Sequence, residues 1–340
     1  MKAVALTRYL PIDHPESLID VELPKPAAPK GHDILVKVEA IAVNPVDYKI
    51  RAPKDKVEPS PKVLGWDAAG VVEAVGESVS LFRPGDKVYY AGDLTRAGSN
   101  AEFQLVDERI VGRMPTTLDF AQAAALPLTS ITAWEALFDR LKIDRAGAHR
   151  GKTLLIIGGA GGVGSIAIQL AKQAGLTVIA TAGRPESRQW VKELGADHTV
   201  AHGDALVSAT REAGFKHVDY IFCASDTESY FDAMVELVAP QGGIVTIVET
   251  ERNLPLHGLK LKSAFFAWEL MFTRSMFLTD DMIEQHKLLN EVATLVDNGT
   301  LRTTLGDVLG PVNAANLKRA HALLEDGKVI GKLVLRGFGD

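Results

Sequence analysis

The segment TLLIIGGAGGVG, residues 153–164, decides the fold of the middle of the chain. It starts with a short apolar run and continues into a glycine-rich loop, after which apolar side chains recur at helical spacing as far as Ala174. This order, followed by a second apolar run at 176–181, is the context in which the pattern G-x-G-x-x-G binds the pyrophosphate of a dinucleotide. We therefore expect a dinucleotide site here; a glycine-rich turn without a ligand is the alternative.

Each position of the loop has an expected role. Gly159 would permit the tight turn, Gly161 would let the backbone approach the pyrophosphate, and Gly164 would let helix and strand pack closely. The N–H groups at the start of the helix, including those of Gly162 and Val163, would face the phosphates with the positive end of the helix dipole behind them.

The residues after this loop alternate between strand and helix patterns. Apolar runs at 176–181, 218–224 and 244–248 predict strands, and the segments 186–194 and 230–238 predict helices. Such alternation predicts a parallel sheet covered by helices on both faces, which is the doubly wound Rossmann arrangement of the α/β class.

The end of the second strand indicates which dinucleotide binds. NAD sites usually place an acidic residue there to hold the ribose hydroxyls, whereas this chain has TAGRPESR at 181–188. Arginine offers charge-assisted contacts to a 2′-phosphate, and serine offers a hydrogen bond. We therefore predict NADPH as the cofactor, and the predicted contact residues are Gly183, Arg184, Ser187 and Arg188. Glu186 could instead reach the ribose, which would favour NAD.

The two ends of the chain differ from the middle, because the first third is rich in strand patterns and in proline. The last third is mixed. The predicted elements outside the alternating region are strands at 34–38, 69–75, 88–90 and 331–335 and helices at 132–141, 282–297 and 314–325.

The composition is that of a globular protein and excludes several classes of function. Apolar residues make up 46% of the chain and charged residues 24%, and the net charge is −6, so neither disorder nor a basic nucleic-acid-binding surface is expected. No apolar run approaches the roughly 18 residues that a membrane span requires, and no signal-peptide pattern opens the chain. Cys223 is the only cysteine, which excludes an intramolecular disulfide. We expect a cytoplasmic protein without nucleic-acid or membrane partners.

Several motifs in a fixed order resemble the medium-chain dehydrogenase/reductase superfamily, and within it the zinc-independent quinone oxidoreductase branch with its zinc-type alcohol dehydrogenase-like subgroup. The motifs are AVNPVD (42–47), LGWDAAGVV (64–72), RPGDKV (83–88), LPL through TAW (126–134), the glycine loop with Ser165, and GKLVL (331–335). The resemblance implies a GroES-like β-rich catalytic domain formed by residues 1–126 and 275–340, with a Rossmann domain over 127–274 between the two parts. It also implies that NADPH delivers hydride to a small-molecule quinone or α,β-unsaturated carbonyl.

The metal ligands of the zinc-dependent members are missing from this sequence. Those members carry a Gly-His-Glu segment, where this chain has Gly65-Trp66-Asp67, and an indole cannot bind zinc. Cys223 falls in a predicted strand of the Rossmann sheet, where a small buried core residue is expected. We therefore expect no metal site, and we expect Trp66 to shape the pocket.

The resemblance places residues 44–49 beside the nicotinamide. Without a metal, reduction of an already electrophilic acceptor remains feasible because the cofactor carries the difficult step. Asn44 could hydrogen-bond the cofactor ribose or the acceptor carbonyl, Tyr48 could donate a proton, and Lys49 could stabilise developing negative charge. Many relatives carry a tyrosine where this chain has Lys49, which leaves the proton donor open. Asp47 is expected to cap a helix that begins at Tyr48.

Three further expectations come from the resemblance. Thr132 would contact the nicotinamide carboxamide, or else it is an ordinary helix residue. A homodimer would join two Rossmann sheets edge to edge through residues 265–277, which could instead be core. Two other functions stay open, namely reduction of enoyl thioesters and NADPH binding without catalysis, as in relatives that serve as lens crystallins.

Overall fold

The computed structural model describes residues 1–339, and the chain divides into two compact units. Unit 1 comprises Met1–Leu128 together with the described residues from Phe272 onward, and unit 2 comprises Thr129–Met271. The domain boundaries expected from the sequence, after residues 126 and 274, stay a prediction, because compactness alone does not show that a unit folds independently.

The first segment of unit 1 is mainly strand, as its sequence patterns predict. Its elements are β1 (Lys2–Tyr9), β2 (Ile19–Glu22), β3 (Asp33–Val43), α1 (Pro45–Arg51), β4 (Lys54–Val63), β5 (Ala68–Val75), β6 (Lys87–Tyr90), β7 (Phe103–Asp107), a 3₁₀ turn (Glu108–Ile110), β8 (Val111–Arg113) and α2 (Phe120–Ala124). The structure confirms the three strands predicted here, which lie within β3, β5 and β6.

The middle of the chain alternates between strand and helix. Its elements are α3 (Pro127–Trp134), a π-helical segment (Glu135–Arg140), β9 (Thr153–Ile157), α4 (Gly162–Gln173), β10 (Thr177–Thr181), α5 (Pro185–Glu193), β11 (His198–Val200), a 3₁₀ turn (Gly203–Ala205), α6 (Leu206–Glu212), β12 (Val218–Cys223), α7 (Thr227–Leu237), β13 (Val238–Thr246), a 3₁₀ segment (Leu256–Lys262) and β14 (Phe265–Trp268).

The last segment returns to unit 1. Its elements are α8 (Thr273–Phe277), α9 (Ile283–Asp297), β15 (Leu305–Val308), α10 (Ala314–Glu325) and β16 (Lys332–Arg336). Among residues 1–339, no helix is both long and apolar enough to cross a membrane.

Unit 1 is built on two sheets. A seven-stranded sheet has the order β15-β16-β3-β5-β6-β8, with β7 also paired to β3, and a three-stranded sheet has the order β2-β1-β4. The last described strand, β16, therefore lies next to β3, with Leu333 opposite Val43, although the two residues are about 290 positions apart in the sequence. This pairing brings the end of β3 and the start of β16 to the same place in the sheet.

Unit 2 is built on one sheet of six parallel strands in the order β11-β10-β9-β12-β13-β14. The chain winds outward from β9 in one direction and then from β12 in the other, which is the doubly wound Rossmann order. The structure thus confirms the predicted fold class. In such a sheet, ligands bind outside the carboxyl ends of the strands at the point where the winding reverses, here between β9 and β12.

The helix predicted over 132–141 is only partly α-helical, because Glu135–Arg140 forms a π-helix. This segment brings two carboxyl groups together in the interior of unit 2. The Glu135 side chain is fully buried, and so is that of Glu269, which directly follows β14. Arg140 serves both, with Nε 2.7 Å from Glu269 Oε2 and Nη2 3.8 Å from Glu135 Oε2.

One arginine does not fully compensate the free energy of burying two carboxylates. Burial raises the pKa of Glu269 to about 9, and the neighbouring Glu135 contributes in the same direction, although Arg140 opposes the shift. Folding thus favours the protonated form of Glu269. Because the folded pKa exceeds the ordinary value of a glutamate, the stability of the wild-type protein should decline as the pH rises from about 4.5 to about 9.

Glu269→Gln should remove this decline, since glutamine mimics the protonated acid. We expect the variant and the wild type to have similar stability near pH 5. Above that pH the variant should gain up to about 1.4 kcal/mol per pH unit relative to the wild type, which urea denaturation at pH 5 and pH 8 would measure. Glu236→Gln, an exposed residue of α7 paired with Arg211, is the control and should follow the wild type. Equal pH dependence of Glu269→Gln and wild type would contradict the proton assignment.

Candidate functional site

The glycine loop lies at the carboxyl end of β9, where the winding of the unit 2 sheet reverses. The left-handed backbone conformation occurs at Gly158, with φ +89°, one residue earlier than the tight turn expected at Gly159. Gly159 is needed for packing, because a Cβ there would lie 2.9 Å from the Cβ of Ala180 on β10. The sequence pattern therefore identified the loop, but the turn itself belongs to Gly158.

Gly161 and Gly164 are glycines for different reasons. A Cβ on Gly164 would lie 2.3 Å from the Gly158 carbonyl oxygen, so the start of α4 could not pack on the loop. A Cβ on Gly161 would meet no protein atom closer than 3.6 Å. Packing within the protein thus does not demand glycine at 161, whereas close approach of a ligand to the backbone would.

The start of α4 offers backbone donors beside Gly161. Gly161 is the N-cap, no side chain caps the helix, and the first helical residues are Gly162, Val163 and Gly164. The first N–H groups of a helix have no partner inside it and carry the positive end of its dipole. These residues fit the pyrophosphate of a dinucleotide, as their predicted role requires.

The predicted 2′-phosphate segment follows β10. Gly183, Arg184 and Arg188 are exposed, and Arg188 Nε donates to the Ala182 carbonyl oxygen at 3.2 Å. Ser187 is buried, and its hydroxyl both accepts a hydrogen bond from the Arg184 N–H and donates to the Arg184 carbonyl oxygen. The Ser187 hydroxyl therefore stabilises the first turn of α5, and Arg184, Glu186 and Arg188 are the exposed charged residues of the segment.

Sequence reasoning missed His202, an exposed residue just after β11. A Cβ on Gly183 would lie 2.6 Å from His202 Nε2, so the absence of a side chain at 183 makes room for this imidazole. Because β11 pairs with β10 in parallel, the residues after both strands meet at one edge of the sheet. Only that pairing connects the two positions, which are 19 residues apart in the chain.

Thr132, the predicted contact of the nicotinamide carboxamide, is buried in α3 of unit 2. It lies one turn before Glu135, the residue that opens the π-helical segment. Its expected role stays a prediction.

The three predicted catalytic residues lie at the start of α1 in unit 1. Asn44 is buried as the N-cap of this helix, Tyr48 is half-buried and Lys49 is exposed. The helix begins at Pro45, three residues earlier than expected. Asp47 therefore does not precede the helix; its Oδ2 accepts the Asn44 backbone N–H at 2.5 Å from within the first turn.

The Asn44 side chain belongs to a buried polar group that the sequence did not reveal. Its Nδ2 donates to Asp67 Oδ2 at 2.8 Å, and its Oδ1 accepts a hydrogen bond from Lys332 Nζ. The Lys332 ammonium also donates to Asp67 Oδ2 at 3.0 Å and to the Val43 carbonyl oxygen at 2.9 Å. The only signal in the sequence was a lysine at the start of the predicted last strand.

Burial dominates the electrostatics of this group. It raises the pKa of Asp47 to about 7, although the hydrogen bond from the Asn44 N–H and the charge of Lys332 oppose the shift. Burial likewise raises the pKa of Asp67, again against the charge of Lys332 and the hydrogen bond from Asn44. Loss of the Lys332 charge would therefore make both carboxylates costly to bury.

Trp66, which stands where zinc-dependent members have histidine, is almost completely buried. Its Nε1 donates to the Asp93 carbonyl oxygen at 3.1 Å, and its ring packs edge to face on Phe272 with centroids 6.4 Å apart. Within residues 1–339, no cluster of three or more His, Cys, Asp or Glu side chains is arranged to hold a metal ion. Cys223 is buried in β12, and burial raises the pKa of its thiol to about 12, so the thiol is neutral near pH 7.

Comparisons with known proteins place both units in described families. Residues 30–116 match the alcohol dehydrogenase GroES-like domain, and residues 162–291 match the zinc-binding dehydrogenase family. A zinc-type alcohol dehydrogenase-like protein of Staphylococcus aureus (strain MSSA476) is 48% identical over 90% of this chain and 91% of its own length. The 2-methylene-furan-3-one reductase of Solanum lycopersicum is 32% identical over 98% of this chain and 79% of its own length.

Solved structures show the same fold. A protein of Rhizobium etli CFN 42, named as a zinc-dependent alcohol dehydrogenase, has a TM-score of 0.95 and 54% identity over 100% of this chain and 99% of that chain. A mycobacterial protein in complex with NADPH has a TM-score of 0.83 and 26% identity over 99% of both chains. A GroES-like unit and a doubly wound dehydrogenase unit in one chain define an oxidoreductase. The chain belongs to the medium-chain dehydrogenase/reductase superfamily, as its sequence motifs predict.

Substitutions at Gly161 and Gly164 separate ligand binding from packing. Gly164→Ala places a Cβ against backbone atoms, so we expect a loss of about 1–3 kcal/mol in the free energy of unfolding. Gly161→Ala meets no such clash and should change stability by less than about 1 kcal/mol, yet it should weaken dinucleotide binding strongly. Thermal denaturation and fluorescence titration with NADPH measure the two effects. Unchanged NADPH affinity in the Gly161→Ala variant would show that Gly161 does not contact the phosphates.

Proposed function

We propose that this oxidoreductase is NADPH-dependent and zinc-independent, and that it transfers hydride to quinones or α,β-unsaturated carbonyls. For a quinone, NADPH and one proton would yield NADP⁺ and the hydroquinone, so atoms and electrons balance. When bound, the reduced nicotinamide would supply the hydride. The observation that carries the proposal is the open backbone at Gly161 combined with exposed arginines after β10.

The residues after β10 support NADPH over NADH. The strand ends at Thr181, whose hydroxyl accepts a hydrogen bond from the Gly158 N–H at 2.9 Å, and no acidic side chain stands at its tip. Arg184 and Arg188 provide positive charge in exposed positions, where a guanidinium can bind a 2′-phosphate in bidentate geometry. The NADPH complex of the mycobacterial structural neighbour is consistent with this choice.

The donor set in unit 1 supports zinc independence. A catalytic zinc needs three protein ligands of the N, S or O type and an open position. The buried indole of Trp66 offers none of these donors, and Asp67 is engaged by Lys332 and Asn44. These residues provide no Lewis acid that could help to form an alkoxide from an alcohol. The reaction they support best is therefore reduction of an acceptor that is already electrophilic.

The part of the proposal that concerns the hydride acceptor is based on the residues of α1. Tyr48 is half-buried, as suits a phenol that donates a hydrogen bond or a proton to the acceptor oxygen, and exposed Lys49 would stabilise negative charge there. Reduction of an enone is also the activity named for the Solanum lycopersicum relative, 2-methylene-furan-3-one reductase. Thr132 in unit 2 would orient the carboxamide of the nicotinamide.

The test starts with fluorescence titration of the purified protein with NADPH and NADH, followed by addition of 1,2-naphthoquinone or an enone. We expect binding at much lower concentrations of NADPH than of NADH, and acceptor-dependent oxidation of NADPH that persists in the presence of a zinc chelator. Turnover of an enoyl thioester but of no quinone would favour enoyl-thioester reduction. Tight NADPH binding without any turnover would favour a binding protein, and no cofactor binding would refute the proposal.

Replacing the two arginines tests the cofactor assignment directly. Arg184→Ala/Arg188→Ala should raise the Kd for NADPH by about 10- to 100-fold through lost charge-assisted contacts, with little effect on the Kd for NADH. Arg211→Ala, an exposed arginine of α6 in the same unit, controls for the loss of positive charge. Equal weakening of both cofactors would show that the arginines do not recognise the 2′-phosphate.

The proposed assembly is a homodimer joined through β14. This strand is at the edge of the unit 2 sheet and pairs with β13 on one side, and Phe265 and Trp268 are 40% and 47% exposed. An edge strand with exposed aromatic residues is suited to pairing with a second chain. Sedimentation velocity should therefore give about twice the mass of one chain. The Glu269 N–H donates to the Thr246 carbonyl oxygen at the end of β13, and N–H groups alternate between the two edges of a strand, so the Trp268 N–H faces the open edge. Trp268→Pro should therefore yield monomers by blocking edge pairing. A wild-type monomer would refute the assembly.

A further inference from the structure

We propose that Lys332 and Asp67 are positioning residues of the reductase site, and that they act by fixing Asn44 and the first turn of α1. This inference rests on the proposed function, because Tyr48 and Lys49 of α1 are its predicted acid and charge-stabilising group. Lys332 lies 288 residues from Asn44 in the chain, and its motif, GKLVL, carries no predicted role in the reaction.

The three side chains form a closed triangle in which each contacts the other two. Lys332 donates to Asn44 Oδ1 and to Asp67 Oδ2, and Asn44 Nδ2 donates to the same Asp67 oxygen. All three residues are at most 4% exposed. A ring of charge-assisted hydrogen bonds at this depth fixes the orientation of each member far better than a single bond does.

The triangle connects the ends of three neighbouring strands. Asn44 directly follows β3, Lys332 opens β16 and Asp67 directly precedes β5, and these strands are adjacent in the order β16-β3-β5. The remaining ammonium hydrogen of Lys332 is donated to the Val43 carbonyl oxygen, and Asp67 Oδ1 accepts the Leu128 N–H at 2.8 Å. No donor of Lys332 is left over, so an arginine, whose planar fork has a different geometry, would not replace it.

Asn44 connects the triangle to the first turn of α1. The backbone carbonyl oxygen of Asn44 accepts the Asp47 N–H, and its N–H donates to Asp47 Oδ2, so the two residues lock the first turn reciprocally. Tyr48 and Lys49 follow immediately. Both ends of the Asn44 amide are used within the protein, so we assign Asn44 to the positioning group and leave direct contact with the acceptor to Tyr48.

The experiment uses the double variant Asp67→Asn/Lys332→Met in the full chain, since removing both charges avoids leaving one of them buried without a partner. The matched control is Asp33→Asn/Arg96→Met. Those residues form a bidentate pair at 2.8 Å in the same unit, and Asp33 opens β3 at the end opposite to Asn44. Each double variant removes one ion pair at one end of the same strand.

Three measurements on both double variants decide the question. We expect the triangle variant to lose about 10- to 100-fold in kcat for the acceptor, since small misplacements of reacting groups carry costs of that size. Its Kd for NADPH should change less than about twofold, because the predicted cofactor residues lie in unit 2. Amide hydrogen exchange over α1 should accelerate, and the control variant should show none of these changes.

If the wild type is active, two results would overturn the inference. One is a triangle variant with wild-type kcat and wild-type exchange over α1, and the other is an equal loss of kcat in both double variants, which would show a general weakening of the sheet. If the wild type itself turns over no acceptor, the proposed function fails, but the exchange measurement still decides whether Lys332 and Asp67 hold α1. Unchanged exchange in that case also overturns the inference.

Discussion

The contact between Gly164 and the backbone of Gly158 is the constraint on which unit 2, the Rossmann half of the molecule, depends. A hydrogen atom at 164 lets the first turn of α4 lie directly against the loop that leaves β9, and a methyl group would sit 2.3 Å from a carbonyl oxygen. Only in that arrangement do the uncapped N–H groups of α4 face outward at the point where the sheet reverses its winding.

The sequence predicts this half of the molecule well because its signals are local. Strand and helix periodicities fix the parallel sheet, and a glycine pattern within a few residues marks the loop. Where two kinds of secondary structure have similar periodicity, the sequence does not distinguish between them. Apolar spacing over 132–141 fits a helix, yet it does not distinguish an α-helix from the π-helix at Glu135–Arg140. Likewise, the loop was recognised, but the left-handed residue proved to be Gly158 and not Gly159.

Unit 1 is harder to predict because the contacts that form its candidate site are long-range. Asn44 was recognised from a motif, but its partners Asp67 and Lys332 are 23 and 288 residues away. No periodicity connects such positions, and only the pairing of β3 with β5 and β16 brings them together. His202 was missed for the same reason, since parallel pairing of β10 and β11 alone places it beside Gly183. Local patterns thus reveal elements and loops, whereas sheet order decides which side chains meet.

The position of β16 at the end of the described chain also has a consequence for biosynthesis. Unit 2 is continuous in sequence, so a ribosome has made all of it before Lys332 is added. In unit 1, the Ala40–Val43 end of β3 has no neighbour on its β16 side, and Asn44 has no ammonium partner, until β16 has been synthesised. Domains generally fold as they are synthesised, and unpaired strand edges invite aggregation meanwhile. A nascent chain of this protein therefore contains all of unit 2 while one end of β3 still lacks its partner strand, and that edge needs protection until β16 has been made.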